Sequence, residues 1–175
     1  MSEENFLMNL NETSEQTKQV TLYLADEGGE KLRTLSTQIT YNAAEPLAYM
    51  LVQTLIDGPA MLKDVDTSHV IQTIPEDTAL NSVTIRDNIC YVDLSKDFTG
   101  MIPDVSSDVV IYSIVDTLCE LSNVNKVQFS IDGEPVDKYG ETLNFHLPFE
   151  RNLDLVMGEV VAETSEPAYP SKNMR

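Results

Sequence analysis

Two groups of side chains in this chain could carry chemistry. The first are its thiols and imidazoles, Cys90, Cys119, His69 and His146. A thiol beside an imidazole is the minimum for a nucleophile activated by a general base. The second are Asp93, Asp97, Asp104 and Asp108, whose carboxylates would suit a hard divalent cation if they converged. The pattern around each residue offers a plainer role. Cys90 and Cys119 fall on the apolar faces of a strand and a helix, where an inert buried thiol is the usual case. His69 lies in a polar loop and His146 near a strand end, as ordinary surface or hydrogen-bonded residues do. Asp93 is the outward residue of a strand, Asp97 follows a turn and Asp108 favours a helix start. Asp64-Val65-Asp66 opens like a calcium loop, but His69 stands where that loop needs Gly and Pro75 where it needs Glu. No G-x-S-x-G elbow, H-E-x-x-H helix or phosphate-cradling glycine loop is present. The expectation is a protein without catalytic, cofactor-binding or metal-binding residues, holding two buried free thiols rather than a disulfide.

The elements that position these residues follow from periodicity. Asn81 to Phe98 reads as two short strands folded on each other. Val83 and Ile85 alternate with polar neighbours, and so do Cys90, Val92 and Leu94. Asp87-Asn88 between them tolerates the positive φ of a tight hairpin turn. A lone hairpin is marginal in water, so its apolar face needs a cover. An earlier hairpin is expected from Val20–Ala25 and Leu32–Tyr41, joined through Gly28-Gly29. A first helix is expected over Glu45–Asp57, with Leu47, Met50, Leu51 and Leu55 on one face and Asn42 with Glu45 as a possible capping box. Gly58-Pro59 ends it: Gly can take a left-handed cap and Pro cannot continue the helix. Ile74-Pro75 marks an extended entry to the central hairpin. Ser106 or Ser107 caps a second helix carrying Ile111, Ile114, Val115 and Leu118, with Asn123 as its C-cap. Lys126–Ile131 is a strand, Asp132-Gly133 a turn, and Leu143–Leu147 a candidate last strand.

The fold class expected is α+β, a two-layer sandwich of order β-β-α-β-β-α-β. Both helices would cover one face of a mixed or antiparallel sheet. Residues 1–19 read as a polar, disordered tether and 20–151 as one domain. Residues 152–175 read as an extension, disordered from about residue 162. Asn11-Glu12-Thr13 matches a glycosylation acceptor, a motif too short to weigh much. Lys plus Arg number 11 against 29 Asp plus Glu, a net charge of -18. That charge disfavours nucleic acid and anionic membrane surfaces as partners. No stretch is long and apolar enough to span a bilayer. The acidic opening Met1-Ser2-Glu3-Glu4 is no signal peptide, which implies either an intracellular protein or a targeting segment missing from this sequence.

Several runs taken together resemble the GerM domain of bacterial sporulation and germination proteins. They are Leu55-Ile56-Asp57-Gly58-Pro59, then Ile74 to Val83 (IPEDTALNSV), Tyr91 to Phe98 (YVDLSKDF) and Val124 to Val136 (VNKVQFSIDGEPV). The resemblance covers about Val20 to Arg151. It departs at Asp87-Asn88, where Gly is usual, and in the loop after Gly58-Pro59. The motif residues Gly58, Pro59, Pro75, Asp93, Leu94, Ser95, Phe98, Asp132 and Gly133 would then serve the fold, since the family implies no catalytic residues. The resemblance implies an extracytoplasmic module on a lipoprotein or secreted protein of a Gram-positive envelope, held at the membrane only by an N-terminal anchor. It is similar in outline to ring-building domains of the sporulation channel. Two functions fit. One is an interaction module that assembles with envelope partners or with itself, through a sheet edge or helix face. The other is a domain binding a cell-wall fragment or a small germination signal. A concave site lined by Tyr23, Tyr41 or Tyr139 would favour the ligand, and a flat surface with an open strand edge would favour assembly.

Overall fold

A computed structural model describes residues 14–157. The glycosylation motif, the greater part of the expected tether and the expected disorder beyond about residue 162 lie outside them. The order is β1 (Gln16–Ala25), β2 (Leu32–Tyr41), α1 (Leu47–Asp57), β3 (Leu80–Arg86), β4 (Ile89–Leu94), α2 (Ser107–Leu118), β5 (Lys126–Ile131) and β6 (Phe149–Glu150). The fold is α+β, as its periodicities indicate.

The strands do not form a single sheet. β1 and β2 make a two-stranded antiparallel hairpin, and β3-β4-β5-β6 make a separate four-stranded mixed sheet. In that sheet β4 runs parallel to β5 and antiparallel to β3. The split has a local cause. At Tyr23 the outer edge of β1 is taken by α2: the Thr117 hydroxyl accepts from Tyr23 N at 2.9 Å, and the Ser113 hydroxyl donates to Tyr23 O at 2.5 Å. At Ala25 the same edge is met by Thr73 Oγ1 and by Ile71 N. Backbone groups already paired cannot join another strand. α2 is consequently buried almost all round, from Val109 to Leu118, with contacts to both β1 and β5. It is an interposed layer and not a cover on one face.

Several boundaries move from their sequence expectations. β1 begins at Gln16, four residues before Val20, because Gln16 to Gln19 pair with Gln38 to Tyr41. α1 begins at Leu47 with Pro46 as N-cap. Asn42 makes no capping box there; its Oδ1 accepts from Ala44 N and Glu45 N in a turn ahead of the helix. Ser106 caps α2 by accepting from Val109 N, and Cys119, not Asn123, is the C-cap. Leu143–Leu147 is no strand. Leu143 meets Tyr139 in an isolated bridge, and Phe145 turns into an aromatic cluster with Phe129, Tyr139 and Phe149. The last strand is instead Phe149–Glu150, antiparallel to β5. The Asp87-Asn88 turn is as expected, with φ of 53° and 65°.

Candidate functional site: signature turns and a free strand edge

The motif residues Asp93, Leu94, Ser95, Asp132 and Gly133 converge where β4 and β5 end. Parallel pairing sets Asp93 beside Ser130 and Leu94 beside Ile131. The Asp93 carboxylate accepts from the Ser130 hydroxyl, from Gly133 N at 2.7 Å and from Asn81 Nδ2 at 2.9 Å. Partial burial pushes its pKa up, but those hydrogen bonds outweigh it and hold the carboxyl below the usual range. Leu94 O accepts from Asp132 N, and Ser95 pairs with Ala79 through both its backbone N–H and its hydroxyl. Phe98 is fully buried and stacks on Tyr139 at 5.3 Å and on Phe129 at 6.3 Å. Pro75, also buried, accepts through its carbonyl from Thr78 N in the turn leading into β3. These signatures are therefore a clamp on turns. Asn81 and Ser130 complete it, and sequence reasoning missed both because short polar residues on a strand carry no periodic signal.

Gly58 and Pro59 stand apart, at the end of α1. Gly58 N donates to Thr54 O, and Pro59 opens a short 3-10 turn over Pro59–Met61. The Gly58 backbone is at φ 88° and ψ 170°, which is not the left-handed cap expected but an extended region open to Gly alone. A Cβ there would lie 1.9 Å from Gln72 Oε1.

The reactive groups do not assemble. Burial raises Cys90 to about 12, with a lesser contribution from Cys119, and raises Cys119 to about 11. Both thiols are free, Cys90 buried and Cys119 half-buried. His69 Nδ1 lies 3.0 Å from Glu27 Oε2, and His146 Nε2 lies 2.6 Å from Asp137 Oδ1, each pair on the surface. Among the described residues, no three His, Cys, Asp or Glu side chains are placed to hold a metal ion. The three tyrosines also scatter. Tyr23 is buried, with its hydroxyl donating to Glu120 and accepting from Arg151. Tyr139 is buried in the aromatic stack, and Tyr41 reaches Gln16 on the surface.

What remains is an edge. In β1, Tyr23 and Ala25 point their backbone groups away from β2, so Thr34, Ser36, Gln38 and Thr40 point theirs away from β1. None of these four has a backbone partner among the described residues. Farther back, Leu32 O accepts from Met157 N at 2.7 Å. The run Thr34 to Tyr41, TLSTQITY, carries no charge and no Pro. A groove of about 650 Å³ lies along it, lined by Ser36, Gln38, Thr40, Met50, Thr54 and Met61 among others.

A two-sheet α+β domain with its signature residues in turns, its thiols free and a long strand edge open among the described residues is the class that the structure defines. The chain belongs to the family described as Germane, sporulation and spore germination, which matches residues 21–137. Three solved structures are similar. The first GerMN domain of the sporulation protein GerM from Bacillus subtilis is 20% identical with a TM-score of 0.58, covering 77% of this chain and 98% of that one. The tandem GerMN domains of the same protein give 23% and 0.59, covering 81% of this chain and 48% of that one. A putative lipoprotein from Clostridium perfringens gives 23% and 0.51, covering 78% and 88%. Likeness at this identity concerns the fold. No match was found among curated proteins. Among the described residues, no helix is long and apolar enough to cross a membrane.

Proposed function

We propose that this domain is a non-catalytic module of the bacterial cell envelope that assembles with protein partners through the free edge of β2. The observation that carries the reading is that edge: four alternate residues, Thr34 to Thr40, whose outward backbone groups have no partner among the described residues, on a run of β2 that is uncharged from Thr34 to Tyr41. Strand addition supplies main-chain hydrogen bonds to a partner, and the flanking groove supplies pockets for alternate side chains. The family, with its sporulation and germination description, supports a role in that setting. An extracytoplasmic place, on a lipoprotein or a secreted protein, draws support from the lipoprotein neighbour's fold and description. The free thiols, Cys90 buried and Cys119 half-buried with both pKa values raised, and the exposed, separate histidine pairs support the absence of catalysis. The test is a photo-crosslinker at Gln38, compared with one at Thr84 on β3, in sporulating and vegetative cells. Protein adducts from Gln38 alone are expected; equal adducts or none from either position would refute the assignment of the edge.

A further inference from the structure

We infer that the occupant of the β2 edge is a second copy of this chain, paired with it antiparallel about a two-fold axis at Thr37. The inference rests on the proposed use of this edge and names its partner.

Register is the first ground. The open backbone groups belong to the even-numbered residues Thr34, Ser36, Gln38 and Thr40. An antiparallel ladder requires residues that bond outward to face residues that bond outward. Two-fold pairing at Thr37 sets Thr34 opposite Thr40 and Ser36 opposite Gln38, so all four open residues of each copy find a partner. The intervening residues then face one another as Thr37 with Thr37 and Leu35 with Ile39. These pairs put a β-branched pair and an apolar pair in the non-hydrogen-bonded positions, where side chains approach closest.

Charge is the second ground. A chain of net charge -18 repels its own copies. Two copies can meet only where the like charge is absent, and the eight residues Thr34 to Tyr41 carry none. The opposite strand offers a shorter run: on the outer edge of β1 only Thr17, Gln19 and Thr21 are open among the described residues, Lys18 lies within that run, and the edge is met by α2 at Tyr23 and by Thr73 at Ala25. The groove beside the strand is lined by Asp57, Lys63 and Asp64, so the uncharged surface is that of the strand itself.

The experiment uses the full chain. Sedimentation equilibrium at rising concentration should show a monomer–dimer equilibrium. Gln38→Pro removes an outward N–H at a position where an edge strand tolerates Pro, and Gln38→Lys places like charges on the shared edge. Each should weaken the dimer about tenfold or more, with circular dichroism unchanged. With Cys119 replaced by Ser, Thr37→Cys should form a disulfide-linked dimer under mild oxidation, and Thr21→Cys should not. A chain that stays monomeric, or a dimer indifferent to both Gln38 variants, overturns the inference. A dimer seen only when the chain is ended at Met157 gives the edge to the chain's own following segment and overturns it too. If self-association fails while Gln38 still crosslinks to a different envelope protein, the inference falls and the proposed function stands.

Discussion

β2 and β3 are both edge strands, and the fold treats them in opposite ways. β3 is seven residues long, its register slips between Leu80 and Ser82, and it ends in Arg86, whose guanidinium sits 4.3 Å over the Tyr91 ring. A bulge, a short length and a charge are the usual means of keeping an edge from pairing with strangers. β2 has ten residues in unbroken register, and none of these devices past Arg33. An edge left bare invites uncontrolled pairing. That one edge is guarded and the other bare is what the proposed assembly through β2 requires. The guarded edge belongs to the half that holds the signature turns, and the bare edge to the hairpin of β1 and β2.

The largest expected effect falls at the end of α1, the helix that packs on β2. Gly58→Val forces a β-branched residue into backbone that only Gly adopts readily, and displaces Gln72. Gln72 Nε2 donates to Ile56 O at 3.0 Å and to Ile74 O at 2.7 Å, tying α1 to the segment that enters β3. Denaturant unfolding should show a loss of about 3 kcal/mol or more. A midpoint unchanged within error would mean the turn relaxes to another conformation.

Next, Asp93→Ala should act on the guarded half alone. It leaves Ser130, Asn81 and Gly133 without their shared acceptor, a loss of about 2–3 kcal/mol for hydrogen bonds to a charged group. Amide exchange should quicken around Gly133 and Asn81 and stay unchanged across β2. Since the folded carboxyl lies below its ordinary value, the stability it supplies is present above pH 3.8 and is lost as pH falls through the lowered folded value. The variant should lose that acid limb. Exchange quickening equally in β2 would show that the two halves do not act separately.

Much of the guarded half was legible in the sequence, because each of its signals is local. Asp87-Asn88 fixes a hairpin, Ser106 a helix start and Asp132-Gly133 a turn, and each acts on neighbours a few residues away. The division into two sheets was not legible. It depends on Ser113 and Thr117, two hydroxyls inside a helical stripe that reach a strand about ninety residues earlier. Nothing in their spacing distinguishes them from polar residues facing water. The bare edge was hidden for the same reason: the pattern of β2 gives the strand and its inward face, but not which edge the rest of the chain leaves uncovered. The β6 assignment slipped because Leu143–Leu147 alternates like a strand, while Phe145 and Tyr139 are drawn into the aromatic cluster instead.

Thr117→Val would make the edge of β1 more like that of β2. The substitution keeps the shape of a fully buried side chain and removes the acceptor for Tyr23 N. An unsatisfied buried N–H costs about 1–3 kcal/mol, so a loss near 2 kcal/mol is expected, with faster exchange at the Tyr23 amide. No change in either would mean that backbone packing, not the hydroxyl, closes this edge.

Asp116 reports on the segment that covers the start of the β2 edge. Its side chain is fully buried; one carboxylate oxygen accepts from Asn152 N at 2.9 Å and the other has no partner among the described residues. Burial raises its pKa to about 6, opposed by the Asn152 hydrogen bond and by Arg151, while Glu120 adds to the rise. A carboxyl whose folded pKa is raised is most stabilising below its ordinary value of 3.8, and that stability fades as pH climbs through about 6. The loss from this group should be on the order of 2 kcal/mol. Asp116→Asn should flatten this part of the stability profile between pH 4 and 6. A slope unchanged in the variant would assign it to another group.

The smallest effect is the sharpest test of the contrast between the edges. Gln38 is exposed, its side chain makes no hydrogen bond among the described residues, and its backbone N–H and C=O face outward from β2. A Lys there adds one charge to open surface and disturbs no packed atom. Surface substitutions of this kind stay within about 0.5 kcal/mol. Under dilute conditions, where the chain is monomeric, Gln38→Lys should therefore unfold at the same denaturant midpoint as the parent. If the midpoint instead drops when both proteins are fully monomeric, Gln38 has an intramolecular partner, and the edge is not bare. If the midpoints coincide when dilute and separate as concentration rises, the difference is the free energy of an occupied edge. That pattern cannot arise from β3, where a bulge and Arg86 already stand in the way.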